Sequence, residues 1–192
     1  MELTTERLRL RPFTEADIPA VHAYASNIDN VYYMIWGPNA EPDTAAFVGE
    51  CMSKADESLR LHYDFAVTLK QTGQVIGGCG IYLSRELTEG MLGWILHMDH
   101  WKQGYMPEAA TALLKLGFEQ LNLHRIYATC NAENYGSWRV MEKCGMRREA
   151  HFVKNRFGRV GTEQKWYDEY HYAMLDEEWK DASTDEEDTK RG

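Results

Sequence analysis

The sequence predicts an α/β (α+β) fold: a central mixed, mostly antiparallel, twisted sheet of about seven strands flanked by helices. Three observations predict it. Seven short runs, residues 8–12, 63–69, 75–83, 89–98, 125–130, 146–153 and 166–174, are apolar in alternation or nearly throughout, as strands are. Between them lie four stretches with helical spacing of apolar residues, 14–27, 42–58, 107–120 and 133–144. Two pairs of strand runs are joined by tight-turn sequence, at 70–73 and 155–158, which makes their partners antiparallel.

Each element has its own reason. Leu8 and Leu10 alternate with Arg7, Arg9 and Arg11, the pattern of a half-buried strand. Thr14 followed by Asp17 reads as a helix start, and Ile18, Val21 and Tyr24 then share one face. Residues 31–38 are rich in large side chains and read either as a core plug or as a wall of a substrate pocket. Residues 42–58 open on Pro42 and Asp43 and carry Ala45, Phe47, Val48 and Met52 at helical spacing. Strands 63–69 and 75–83 form a hairpin around Gly73, and Gly77, Gly78 and Gly80 in the second predict close backbone approach or a bulge. Residues 89–98 form the fourth strand and run into a loop before helix 107–120, whose Ala110, Leu113, Leu114, Gly117 and Phe118 face inward. Strand 125–130 follows, then a short helix ended by Gly145 at its C′ position. Runs 146–153 and 166–174 form a closing antiparallel pair, and residues 175–180 a last helical turn.

A chain of 192 residues suits one domain, placed at 1–180; residues 181–192, with Ala182 as the sole apolar side chain, are expected to be a disordered acidic tail. The net charge of −9 argues against non-specific nucleic-acid binding. No apolar run approaches the roughly 20 residues of a membrane helix, and the first residues lack the basic start and apolar core of a secretory signal. Cys51, Cys79, Cys130 and Cys144 lie far apart and form no C-x-x-C pair, so free thiols in a reducing cytoplasm are expected. The seven His residues show no metal-ligand spacing, and no metal is expected.

The loop at 100–108 is where chemistry is most legible. It joins a strand to a helix and contains Gly104, so it aims several backbone N–H groups and the positive end of a helix dipole at one point. Such a point suits a phosphate. Pro107 fits the first helical turn, leaving the N–H groups of Gln103, Gly104, Tyr105, Met106 and Glu108 as the donors. Lys102, Arg139 and Lys143 are candidates for the positive potential a polyanion needs.

Trp101, Gly104, Tyr105, Glu108 and Ala109 match a W-x-x-G-Y-x-x-E-A pattern, and Asn131, Asn134 and Ser137, then Glu142, Lys143 and Gly145, match N-x-x-N-x-x-S and E-K-x-G. With these motifs the chain resembles the GNAT superfamily of acyl-CoA-dependent N-acyltransferases, and within it the RimJ/RimL-like branch that acetylates N-terminal amines of ribosomal proteins. The opening at 5–12 and the ending at 172–179 resemble that branch too, so the likeness covers roughly residues 3–180. Of the superfamily's R/Q-x-x-G-x-G/A loop only the central Gly104 matches strictly.

The resemblance implies a GNAT fold, splayed between strands 4 and 5, and acetyl-CoA as co-substrate. It implies a primary amine as acceptor, either a protein N-terminus or a small molecule, attacked directly in a ternary complex by a monomer or homodimer. Main-chain groups at Leu96 and Met98 are then expected to pair with the pantetheine arm and polarise the thioester. Asn134, Ser137, Arg139 and Lys143 are expected at the coenzyme, with Ser137 also the proton donor to the leaving thiolate. Many family members use a Tyr as that donor. Its place here is Met141, whose thioether has no proton to give. The strand glutamate often found as base is replaced by Met91, and Glu89, one strand period earlier, is the candidate base, with Tyr82 and Asp99 also considered. A non-catalytic acyl-CoA-binding regulatory module is the alternative reading. A nucleotide-binding domain is disfavoured because neither G-x-x-x-x-G-K-[ST] nor G-x-G-x-x-G is present.

Overall fold

In the computed structural model, which describes residues 1–181 apart from 56 and 58, the chain folds around one eight-stranded sheet. The strands are β1 (Leu3–Thr4), β2 (Leu8–Arg11), β3 (His62–Leu69), β4 (Val75–Leu83), β5 (Glu89–Leu96), β6 (Arg125–Asn131), β7 (Arg147–Val160) and β8 (Glu163–Leu175). Their order across the sheet is β1-β2-β3-β4-β5-β6-β8-β7. Every neighbouring pair is antiparallel except β5 and β6, which run parallel. The eighth strand is the two-residue β1, too short for its alternation to be read.

The hairpin around Gly73 is as expected, with the Gly73 N–H bonded to the Leu69 carbonyl at 2.8 Å. The last hairpin is not. Its turn was placed at 155–158, but β7 runs on to Val160 and the chain reverses at Gly161. Residues 155–158 read as a turn because a bulge lies there: the register slips between Phe152 and Arg156, and Lys154 takes a φ of 47°. Asp168 receives the Lys154 N–H that the bulge leaves without a strand partner, at 2.9 Å. The expected tail at 182–192 lies outside the described residues.

Helices cover both faces. α1 (Ile18–Ala25) and α2 (Glu41–Ala55) lie over β3 and β4; α3 (Tyr105–Lys115) lies over β2, β4 and β5; and α4 (Tyr135–Lys143) lies against β6. Asp17 closes the expected box at the start of α1 by accepting the Thr14 N–H at 2.8 Å. Val21 and Tyr24 on its inward face are 1% exposed, each such side chain contributing about 1.5–3 kcal/mol over an exposed one. α3 continues into a π-helical turn, Leu116–Gln120, where a Cβ on Gly117 would stand 2.4 Å from Ile126. α4 ends as expected at Gly145, whose φ of 79° lets the Met146 N–H reach back to the Met141 carbonyl at 3.0 Å.

The feature that positions the site is a gap. β5 and β6 pair only from Glu89↔Arg125 to Met91↔Tyr127 and then part. The His97 N–H bonds to the Ile76 carbonyl and the Ser84 N–H to the Glu89 carbonyl, so odd-numbered residues of β5 turn their main chain toward β4. Leu92, Trp94 and Leu96 therefore turn theirs into the gap.

Candidate active site

One cleft of about 1360 Å³ runs from the start of α3, through the gap, to the segment between α1 and α2. Gly104 is the N-cap of α3 and has φ 80°, ψ 5°, which L side chains rarely adopt. A Cβ there would meet only Arg7 Nη2, at 3.3 Å. The loop is braced from the far end of the sequence. Arg7 donates through Nη1 to the Gln103 carbonyl at 2.9 Å, through Nε to Glu108 at 2.7 Å, and stacks over Tyr105 at 4.6 Å. Glu108 also accepts the Arg7 N–H and the Thr5 hydroxyl. Burial pushes the Glu108 carboxyl up, but these donors outweigh it and hold it below the usual carboxylate range.

Two of the expected phosphate donors change role. The Glu108 N–H is already spent on the Gly104 carbonyl at 3.3 Å, and its side chain faces Arg7 and Thr5 rather than the cleft. The Gln103 side chain turns back to the Asp99 carbonyl at 3.0 Å, so only its main chain is left for an anion. Since Pro107 has no N–H, the donors at the helix start are those of Gly104, Tyr105 and Met106.

Met98 is corrected as well. It lies past β5, in a 3₁₀ turn (Met98–His100), and its N–H donates to Asn30 Oδ1 at 2.7 Å. The Leu96 carbonyl accepts from Asn30 Nδ2 at 3.2 Å and Trp101 Nε1 at 2.8 Å. Asn30 thus caps the end of β5 with both ends of its amide. The main chain facing the gap is that of Trp94 and the N–H of Leu96.

Asn134, Ser137, Arg139 and Lys143 line the cleft as expected. Asn134 Oδ1 accepts the Ser137 N–H at 3.2 Å, the cap of α4. The Ser137 side chain lies against the Cys130 thiol, which burial pushes up to about 12 while Ser137 opposes. Arg139 is partly occupied by Glu142, at 2.8 Å. Asn131 was read as part of the motif but given no role. It is 6% exposed and lines the cleft, and its Nδ2 has no hydrogen-bond partner. A buried unpaired donor beside a gap fits a carbonyl-bearing arm, and the N–H groups at the helix start, where the backbone takes a conformation suited to Gly104, fit a phosphate. Both fit an elongated phosphate-bearing coenzyme.

Glu89 is misplaced as a base. It sits at the far end of β5, outside the cleft, 3.4 Å from Arg125. Met141 does not face Ser137's side of the helix into the cleft; it is 1% exposed, in the core. The large side chains of 31–38 divide: Val31 is buried in full, while Tyr32, Tyr33 and Trp36 line the cleft. Arg159 at the tip of the β7–β8 hairpin holds this wall. Its Nη2 donates to the carbonyls of Val31, Met34 and Trp36 at 3.2, 3.0 and 2.6 Å, and its Nη1 to Gly161 at 2.8 Å. Nothing local in the sequence marks Arg159, because its partners in the wall lie more than a hundred residues away. Hydrogen bonds from a charged donor such as this contribute about 1.5–3 kcal/mol. Arg159→Ala is expected to lower Tm by several degrees, at roughly 2–4 °C per kcal/mol for a chain of this size. A melting curve that overlays the parent's would show that the wall holds itself.

An eight-stranded mixed sheet parted between parallel strands, with a glycine-led helix start at the gap, is the GNAT fold that the sequence resemblance implies. The comparisons agree. The pattern of the Acetyltransferase (GNAT) domain matches residues 7–147. The chain is 39% identical over 179 residues to the uncharacterized N-acetyltransferase YnaD of Bacillus subtilis, covering 93% of this chain and 99% of that one. The crystal structure of a GNAT-family acetyltransferase from Bacillus anthracis superposes with TM-score 0.80 at 38% identity, over 92% of this chain and 99% of that one. A spermidine N-acetyltransferase of Vibrio cholerae, solved with CoA and spermine, shares the fold at TM-score 0.75 and 20% identity, over 90% and 98% of the two chains. The chain belongs to the GNAT acetyltransferase family.

Proposed function

We propose that the protein transfers an acetyl group from acetyl-CoA to a primary amine, by direct attack within a ternary complex. The observation that carries this reading is that one cleft joins the start of α3, the strand gap and a wall of aromatic and acidic side chains. The coenzyme, when bound, supplies the acetyl group as a thioester. The N–H groups of Gly104, Tyr105 and Met106, with the main chain of Gln103, receive its pyrophosphate, and Lys102, Arg139 and Lys143 add positive potential. The Trp94 main chain, the Leu96 N–H, Asn131 and Asn134 take the pantetheine amides. The ammonium first loses a proton to water; its nitrogen then bonds to the thioester carbon, the C–S bond breaks, and the second nitrogen proton passes by way of the Ser137 hydroxyl to the leaving sulfur. Alignment of the two reactants in one cleft supplies several kcal/mol of the rate gain.

The acidic wall favours a cationic acceptor. Asp29 and Asp43 line the cleft at α1 and α2, whereas Lys102, Arg139 and Lys143 belong to the α3–α4 side. The acceptor is a small amine or a protein N-terminus. Thiol release from acetyl-CoA over a panel of amines and short peptides tests the reading. Release that depends on an amine is expected. Tight CoA binding with no release for any amine would instead make the protein an acyl-CoA-binding regulator.

A further inference from the structure

We infer that Asp64, with Tyr82 and Tyr24, forms a subsite for a second cationic nitrogen of the acceptor, so that the preferred acceptor is a diamine rather than a monoamine. This rests on the amine acetylation proposed above. Asp64 on β3 stands opposite Gly80 on β4, and Gly80 opposite Gly93 on β5, a row across three strands toward the gap. The two glycines leave the floor of the cleft bare. A Cβ on Gly80 would stand 3.0 Å from Tyr82 Oη and 3.1 Å from Asp64 Oδ1, and one on Gly93 would stand 3.1 Å from the Tyr82 ring. Tyr82 fills that space, lying across the row, and its hydroxyl donates to Asp64 Oδ1 at 2.9 Å.

Asp64 is otherwise unsatisfied. Its second oxygen has no hydrogen-bond partner and no cation pairs with it among the described residues; the nearby Lys54 is taken by Glu50 and Arg60 stacks on Tyr63. Burial holds its pKa above the usual carboxylate range, against the opposing Tyr82 hydroxyl and the charges of His62, Lys54 and Arg60, none of which pairs with it directly. An independent observation points the same way. Tyr24 is 1% exposed and lines the same cleft, and its hydroxyl has no partner. It lies over Gly78, two residues from Gly80 along β4 and on the same face. A free carboxylate oxygen and an orphaned hydroxyl in one pocket ask for a ligand that donates hydrogen bonds. An ammonium carries three donors and the missing charge. Phe13 and Phe47, packed edge to face at 5.7 Å, wall the pocket with aromatic surface that tolerates a cation. Asp64 on β3 is two strand spacings from β5 at the gap, so the two nitrogens are separated by roughly 10 Å.

Initial rates with α,ω-diamines and with n-alkyl monoamines of matched length, on the parent protein, Asp64→Asn and Tyr24→Phe, test the subsite. Diamines spanning that separation are expected to exceed matched monoamines at least tenfold in kcat/KM. Asp64→Asn should remove the advantage by raising the diamine KM about tenfold, with monoamine kinetics within twofold of the parent's. Tyr24→Phe should raise the diamine KM less. Equal rates for diamines and monoamines in the parent, or an Asp64→Asn loss shared by both substrates, overturn the proposal. Calorimetry of a diamine into the CoA-bound protein separates this from a failure of the acetylation reading. Binding that Asp64→Asn abolishes supports the subsite even without turnover, and no binding to either protein overturns it. Both variants should melt as the parent does, since each replacement is nearly isosteric.

Discussion

Gly104→Glu is expected to abolish coenzyme binding while the fold survives. Two costs act at once. The residue holds φ at 80°, where a side chain adds strain of about 1–3 kcal/mol. A Cβ there points toward Arg7 Nη2, 3.3 Å away, so the new carboxylate stands beside the N–H groups of Gly104, Tyr105 and Met106 and repels a phosphate held by them. Strain alone lowers Tm by several degrees in a chain of this size. Gly104→Ala separates the costs, because it carries the strain without the charge. Calorimetry with CoA should show an affinity loss of at least about 10²-fold, roughly 2.7 kcal/mol, for Gly104→Glu and a smaller one for Gly104→Ala. Parent-like affinity in a folded Gly104→Glu protein would remove the phosphate from this loop.

Ser137→Ala is expected to lower kcat by roughly 10²-fold, the usual scale for one acid–base group, and to leave the acetyl-CoA KM nearly unchanged. The reason is position. Ser137 lines the cleft one turn into α4, and its amide is pinned by Asn134. Asn134→Ala removes that cap and a coenzyme contact together, so its main effect is a raised acetyl-CoA KM. Introducing Tyr at Met141 is not expected to rescue Ser137→Ala, because Met141 points into the core. Steady-state kinetics on the single variants decide the matter. A Ser137→Ala enzyme with parent kcat leaves the thiolate to water.

What the sequence made legible was local. The strands, the hairpin at Gly73, the glycine that stops α4 and the helix start at Gly104 each follow from a few neighbouring residues. Several of the misses involve distant partners. Met98 was expected to present a free N–H, but Asn30, sixty-eight residues earlier, takes it. Glu108 looked like a phosphate donor because it begins a helix, yet its carboxylate answers Arg7 and Thr5, about a hundred positions away. The turn expected at 155–158 was a bulge, since polar and glycine residues suit both and only the partner strand decides between them. Asp64 drew no notice in an ordinary strand pattern. Its importance comes from Gly80 and Gly93 standing beside it across the sheet.

The wall held by Arg159 has a bearing on how the protein is made. β8 is the last strand among the described residues, yet it lies inside the sheet, between β6 and β7. Arg159 reaches residues 31–36 only once that hairpin has formed. A polypeptide emerges from the ribosome N-terminal end first. The loop at Gly104 is therefore made before the wall at residues 31–36 is fixed, and the cleft takes its full shape only once β7 and β8 have been translated.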